Sequence, residues 1–503
     1  MGAGTAGCLL ADRLSRDGAR RVLLLEAGPD YRAGGQPRDL ASCSDLTVSH
    51  DWSYTASAGP FNPAQPLPRA KVMGGCSATN ACLAVRGNPD DYDAWARAGG
   101  SRWSFREVSG FFRSLETDTD FPDDEHHGQE GLVRVQRYSR DALTSFNSAL
   151  LRGAWEAGCA VVHDHNRPGA VGAGPAPVTS WEGRRLSTAA VHLARARGRS
   201  NLVLRAETMV DHVVIRRGRV LGVRLVGGEY VPAGAVVLSA GTYGSCVLLL
   251  RSGVGPGGEL AGLGIETHAD LAGVGRNLQD HPGVSVRWTT PAVPPLEPRY
   301  QVLITAADPN RAPDRVALHL IGACAPTRSR DEAEAFLSVR VMRSSSHGRV
   351  RLIGPGPHTP PVIEPFYFTD PADVDLLREG LRRAYALLRT EPMRGAADAR
   401  PLPTAAVLEG DAELLRWLRR ASSTYHHPVG TCRMGDDPAR GAVTDWAGAV
   451  HGISGLWVCD ASVMPVIPAA NTALPTMMVA ERMAALWAEA SPGNRLTPRT
   501  AAA

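Results

Sequence analysis

The chain has 503 residues, 44% hydrophobic and 21% charged, with 54 basic against 51 acidic side chains. A net charge of +3 leaves no footprint for nucleic acid or another polyanion, and no apolar run is long enough for a transmembrane segment. Nine cysteines occur without a C-x-x-C pair or zinc spacing, which suits reduced thiols and a cytoplasmic setting better than a disulfide framework.

The first element is a glycine fingerprint. Gly2, Gly4 and Gly7 give G-x-G-x-x-G, and the following Leu9, Leu10 and Leu14 suit one face of a helix. "RVLLLEAG" then reads as a buried parallel strand ending at Glu26. Such glycines let the backbone approach a pyrophosphate, the helix N-terminus offers N–H donors, and Glu26, about 20 residues on, can bind a ribose hydroxyl. The plainer reading is a glycine-rich loop with a surface glutamate. Met1 stands where the end of a preceding strand is expected, so the recorded start is expected to lie inside a longer reading frame.

"RAKVMGGCSATNACLAVRG" (69–87) reads as a loop entering an apolar segment, and "SFREVSGFFRSLE" (104–116) as an amphipathic helix. The acidic stretch 118–131 carries His126 and His127; a solvated loop is expected there rather than a metal site, because no second cluster has matching spacing. Residues 201–241 alternate apolar and polar with turn signals at Gly218 and Gly227–Gly228, the pattern of a β-meander ending in the strand "AVVLSAG". Residues 285–370 are strand-rich, 370–390 form a strong helix with an acidic start, and the chain closes with a strand, a loop and an apolar helix.

Three separated motifs now agree. The fingerprint with Glu26, "GGCSATNACLAVRG", and "YHHPVGTCRMG…GLWVCDASVMPVIPAANTALPTMMVAER" together resemble the glucose–methanol–choline (GMC) family of FAD-dependent oxidoreductases, nearest in parts to its choline-oxidase-like branch. "GVGRNLQDHP" and "VIEPFYFTDPADVDLL" extend the resemblance over nearly the whole chain. It implies an α/β fold in which a Rossmann-like, doubly wound FAD-binding domain is interleaved with an α+β substrate domain built on an antiparallel sheet. The expected boundaries are 1–131, 191–285 and 425–490 for the first, 132–190 and 286–424 for the second, and a disordered tail at 491–503.

The resemblance also implies roles. His427 matches the catalytic histidine, a base for the hydroxyl proton while the α-hydrogen leaves for flavin N5. Asn471 matches the partner that holds the substrate oxygen, and its place before an apolar run also suits a helix N-cap. The ADP half of FAD would meet Gly2, Gly4, Thr5, Ala6, Gly7 and Glu26, with Val210 at the adenine. Val72, Gly75, Asn80, Ala81, Cys82 and Leu83 would line the flavin side, with His426 a non-catalytic contact. Asp460, Ala461 and Thr472, with Asn471, would close over the isoalloxazine and pyrophosphate. Cys76 and Cys82 read as packing residues rather than redox partners. Thr79 stands where choline oxidases carry a flavin-linked histidine, so FAD is expected to be non-covalent. Gln301 falls where that branch places a glutamate against the trimethylammonium group, which speaks against choline.

The leading function is therefore oxidation of a small-molecule alcohol to an aldehyde or ketone, with oxygen or a respiratory carrier as electron acceptor and a homodimer left open. Three alternatives stand beside it: an FAD-containing hydroxynitrile lyase using the same histidine, an NAD-dependent Rossmann enzyme, and a flavin-poor relic lacking its first strand. No metal is expected.

Overall fold

Glycine opens the chain in an extended turn and the first helix follows at once, spanning Thr5–Leu14. Its Ala6, Leu9 and Leu10 are buried, and that face packs on the C-terminal helix Ala473–Glu489, itself apolar over most of its length. The computed structural model describes residues 1–489 apart from 33, 47, 292–299, 327–331 and 395–400, so the expected tail at 491–503 lies outside the described residues.

Two short parallel pairs flank the glycine turn. Val22–Leu25 pairs with Leu202–Arg205, and Val236–Leu238 pairs with Leu456–Val458. Between them runs the backbone of Met1 and Gly2: Gly2 N–H donates to Leu25 O (2.8 Å), and the Met1 ammonium donates to Val237 O (2.9 Å). The meander expected over 201–241 is shorter than its alternation suggested. Only Val210–Arg216, Arg219–Leu225 and Tyr230–Pro232 are antiparallel, because the flanking strands find parallel partners far away in sequence. Alternation reports a half-buried strand, not the direction of its neighbour.

The second body is a five-stranded antiparallel sheet. Its order is Gly283–Pro291, Glu332–Val341, Val316–Pro326, Val302–Ala307 and Ala173–Pro175. The period of two divides its faces. Val284, Val286, Leu337, Val339, Leu318, Leu320 and Ile304 point into a core shared with the helices Ser145–Glu156 and Pro371–Leu388. The latter helix starts as its sequence predicts, with Asp370 Oδ1 accepting from Ala372 N–H (2.9 Å) and Pro371 in its first turn. Val374, Leu377, Leu381 and Leu388 form its buried stripe, each leucine contributing about 1.5–3 kcal/mol of apolar burial. The opposite face of the sheet carries Ser285, Ser338, Arg340, His319 and Thr305 and turns toward the "YHHPVG" loop, just before which Ser423 and Thr424 bond Arg340.

Candidate active site

The glycine turn is closed by backbone contact. A Cβ on Gly7 would lie 1.9 Å from Gly2 O, and one on Gly2 (φ +88°) would lie 2.5 Å from Ser239 O. Gly75, at φ +51°, stacks on the same turn, where a Cβ would approach Gly4 Cα to 2.6 Å. Val72 is buried beside it, and Gly74 N–H donates to Ala3 O (2.7 Å). Glu26 ends its strand at this point, its two oxygens accepting from Ala3 N–H (2.8 Å) and Gly28 N–H (2.9 Å). Burial raises its pKa against those two bonds. Gly4 caps the helix without a side-chain bond, so the N-terminal turn at Thr5, Ala6 and Gly7 presents its donors outward. A cradle that admits no side chain, ending in an open helix N-terminus, fits the pyrophosphate of a dinucleotide. The segment leading to Val210 is tied to it, Thr208 N–H donating to Glu26 O (2.7 Å).

Asp460 sits at the end of Leu456–Val458 but is fully used within the protein. Oδ2 accepts from Gly241 N–H (2.8 Å) and Ser245 Oγ (2.5 Å), and Oδ1 from Ser462 N–H (2.8 Å) and Ser462 Oγ (2.5 Å). Its carboxylate clamps the helix Gly241–Arg251 to the following turn, and Ala461 O accepts from Gly430 N–H (3.2 Å). Asn80 O accepts from Arg185 Nε (2.9 Å), Ala81 is half-buried, and Cys82 takes φ +63°. Cys82 and Leu83 share a small apolar cluster with Ala470, which carries this segment to the neighbour of Asn471. None of the nine cysteines, all among the described residues, is in a disulfide.

His427 and Asn471, 44 residues apart, meet: Asn471 Nδ2 lies 3.2 Å from His427 Nε2. On the other side of the ring, His427 Nδ1 lies 3.0 Å from His281 Nδ1. With the amide donating, Nε2 is the acceptor, Nδ1 carries the proton, and His281 Nδ1 accepts it. Asp280 holds both histidine backbones, Oδ1 accepting from His281 N–H (2.7 Å) and His427 N–H (3.0 Å). Burial, with His281 and His426 adding to it, pushes the His427 pKa well below its ordinary 6.5. The ring is therefore neutral at physiological pH.

The N-cap role expected of Asn471 is not seen, since its Oδ1 accepts nothing; Thr472 stands next to the helix, and the amide is turned to His427 instead. Thr472 O accepts from Thr476 N–H within the first helical turn (2.9 Å). His426, at φ +65°, is exposed, and its carbonyl accepts from Arg69 Nη2 (3.0 Å). Gln301 is buried with Oε1 accepting from Thr144 N–H (2.7 Å) and Nε2 donating to Ala142 O (2.9 Å), so its amide organises that loop.

The solvated loop expected around both histidines holds only for His126. His127 is buried, with Nδ1 at 2.9 Å from both Glu116 and Asp118 and Nε2 at 2.9 Å from Asp164. Burial alone would lower its pKa, but the bonds to Asp118, Asp164 and Glu116 outweigh that and push it up to about 10. Arg86 and Arg137 complete the network by pairing the same carboxylates, so it is an internal ion cluster. The loop closes over charges brought by residues 86, 137 and 164, which local composition could not reveal.

Sequence reasoning singled out neither His281, although "QDHP" lies in a quoted motif, nor Tyr425 and Arg340. Alternation along "EAEAFLSVRV" carried a signal for Arg340, because it puts Arg340 on the face opposite Val339 and Leu337.

Two family models, both described as GMC oxidoreductase, match residues 2–283 and 344–480. An "Alcohol dehydrogenase [acceptor]" of Pseudomonas putida is 30% identical, with 96% of this chain and 94% of that protein covered. An "Oxygen-dependent choline dehydrogenase" of Escherichia coli (strain SMS-3-5 / SECEC) is 33% identical over 96% of this chain and 93% of that protein. Among solved structures, pyridoxine 4-oxidase from Mesorbium loti superposes with a TM-score of 0.89 at 27% identity, covering 98% of this chain and 99% of that one.

Proposed function

The chain belongs to the GMC oxidoreductases, FAD-dependent enzymes acting on CH–OH groups, and on that premise we propose that His427 is its catalytic base and Asn471 its oxygen-positioning residue. The observation that carries this reading is the 3.2 Å contact between Asn471 Nδ2 and a buried, neutral His427 Nε2. Bound FAD supplies the hydride acceptor, which no side chain provides.

The substrate oxygen lies beside this pair within reach of both atoms and takes over their mutual contact. Asn471 Nδ2–H donates to that oxygen and fixes its direction, while His427 Nε2 accepts the hydroxyl proton. His281 holds the tautomer by accepting Nδ1–H, which keeps the Nε2 lone pair on the substrate side. Gly2, Gly4, Thr5, Ala6, Gly7 and Glu26 hold the ADP half, with Val210 at the adenine. Val72, Gly75, Asn80, Ala81, Cys82 and Leu83 line the flavin side, with His426 as a wall contact. The carboxylate of Asp460, saturated by protein donors, acts through the shape of its turn with Ala461 and Thr472 rather than by direct bonding. Thr79 offers no imidazole for a flavin link, so FAD is held without a covalent bond.

Anaerobic mixing of the FAD-loaded enzyme with a panel of primary alcohols tests the reading. At least one alcohol bleaches the flavin, and His427→Gln slows that bleaching. Cyanide release from a cyanohydrin without bleaching would favour the lyase instead. Aerobic turnover set against an artificial acceptor then identifies the physiological oxidant, for which the relatives' names offer both oxygen and an acceptor.

A further inference from the structure

One arginine on the polar face of the five-stranded sheet makes no direct ion pair among the described residues. Arg340 is 8% exposed and occupies a cross-strand row with Gly283, His319 and Thr305. Nε donates to Ser338 Oγ (2.8 Å), and Nη1 donates to Ser423 O (2.9 Å), Ser423 Oγ (2.9 Å) and Thr424 O (3.2 Å). Among the described residues Nη2 has no acceptor, and no carboxylate lies within 4.0 Å of any guanidinium nitrogen. The acid beside it, Asp280, is already committed to four donors: the N–H groups of His281 and His427, Tyr367 Oη and Thr424 Oγ1.

A guanidinium cannot shed its proton in a protein, so this is a buried positive charge whose hydrogen bonds go to uncharged groups and whose neighbouring acid is spent on other donors. Burying such a charge without a direct ion pair is unfavourable, and an anionic ligand would offset that cost. Asp280 is the acid whose charge reaches it, opposing burial. The guanidinium carbon lies 5.3 Å from the centre of the Tyr425 ring, and that ring lies 4.5 Å from the ring of His427. Neither the Tyr425 hydroxyl nor either ring nitrogen of the buried His319 makes a hydrogen bond among the described residues, and the two rings are in edge contact at 6.2 Å. Arg69, bonded to His426 O, adds a second positive charge that makes no ion pair among the described residues. Burial lowers the Arg340 pKa, the cost that an anion would offset.

We propose that Arg340, with the Tyr425 hydroxyl, recognises a carboxylate on the alcohol substrate, making a hydroxy acid the substrate class. The site holds one free guanidinium edge and one hydroxyl donor, which matches the single charge and two oxygens of a carboxylate. A trimethylammonium group in the same place would meet a buried like charge. The inference rests on the reading of His427 and Asn471 as an alcohol-oxidising centre, because it places the carboxylate one aromatic ring away from that base.

The test compares propionate with propionamide, equal in shape and different in charge. Each is titrated into the FAD-loaded enzyme, and binding is followed by the flavin absorbance shift and by calorimetry. Propionate binds the wild type tighter by about tenfold or more, the scale of one charge-assisted hydrogen bond. Arg340→Gln abolishes the preference, and Arg340→Lys retains part of it. Equal affinities in the wild type, or binding of neither, overturn the proposal even if the Gln variant does not fold. A preference that survives in a folded Arg340→Gln overturns it as well. Anaerobic bleaching by neutral alcohols is scored separately: its complete absence, for hydroxy acids too, removes the oxidation reading while leaving a carboxylate preference standing.

Discussion

Acidification should destabilise this protein through buried histidines in and around its site, and replacing His319 by glutamine isolates one of them. His165, His281, His319 and His427 are all buried. Burial pushes His165 and His281 down to about 4, and His319 and His427 well below their ordinary value of 6.5. In the unfolded chain each titrates near its ordinary value, about 6.5. Between about pH 6.5 and 4 the unfolded state thus binds more protons than the native state, and stability is lost as pH falls through that window. Each group contributes a slope of up to about 1.4 kcal/mol per pH unit, and the four together roughly 5 at the steepest. Asp91, raised to about 6 chiefly by burial, offsets part of this because its native form takes up a proton first. His127, up at about 10, is protonated in the fold throughout; it offsets some of the loss near pH 6.5 and adds almost no slope below about pH 5.5, where the unfolded chain is protonated too. His319→Gln should therefore reduce proton uptake on unfolding at pH 5.5 by about 0.9 proton, and flatten the dependence of stability on pH by about 1 kcal/mol per unit. Potentiometric uptake in denaturant, with Tm of the FAD-loaded enzyme from pH 7.5 to 5, measures both. An unchanged uptake and slope in the variant would show that His319 is charged in the fold, and would refute the burial argument for the whole cluster.

His427→Gln should slow anaerobic flavin reduction by about 10²–10⁴-fold, the usual contribution of a general base, with flavin content unchanged. A fall of less than a few-fold would move the base elsewhere. Gly75→Ala should yield colourless protein, because its Cβ would press on Gly4 Cα at 2.6 Å, whereas Gly18→Ala, at φ +71° with nothing within 4 Å, should keep its flavin and serve as the control for backbone strain. Equal flavin content in the two variants would count against the cradle. Acid precipitation should release the FAD into the supernatant; a yellow pellet would show a covalent link that Thr79 does not provide.

What the sequence determined by itself is local. Hydrophobic period placed the helices Thr5–Leu14, Phe105–Leu115 and Pro371–Leu388 and the strand Val22–Leu25, since a 3.6- or 2-residue repeat is written in consecutive residues. The glycine turn was legible for the same reason: Gly2, Gly4 and Gly7 meet within one turn of chain. The pairing of His427 with Asn471 was legible only through resemblance, because nothing in their spacing requires contact. Tertiary structure decided the rest. It sent Leu202–Arg205 to a parallel partner rather than into the meander, and it turned the Asn471 amide from its helix to His427. It buried His127 among Glu116, Asp118 and Asp164, and set Arg340 beside Tyr425 without a direct ion pair among the described residues. Each of these depends on which distant charge or strand edge arrives to fill a place. Burial and electrostatic pairing are sums over neighbours in space, and a local pattern fixes a residue's face but not who stands opposite it.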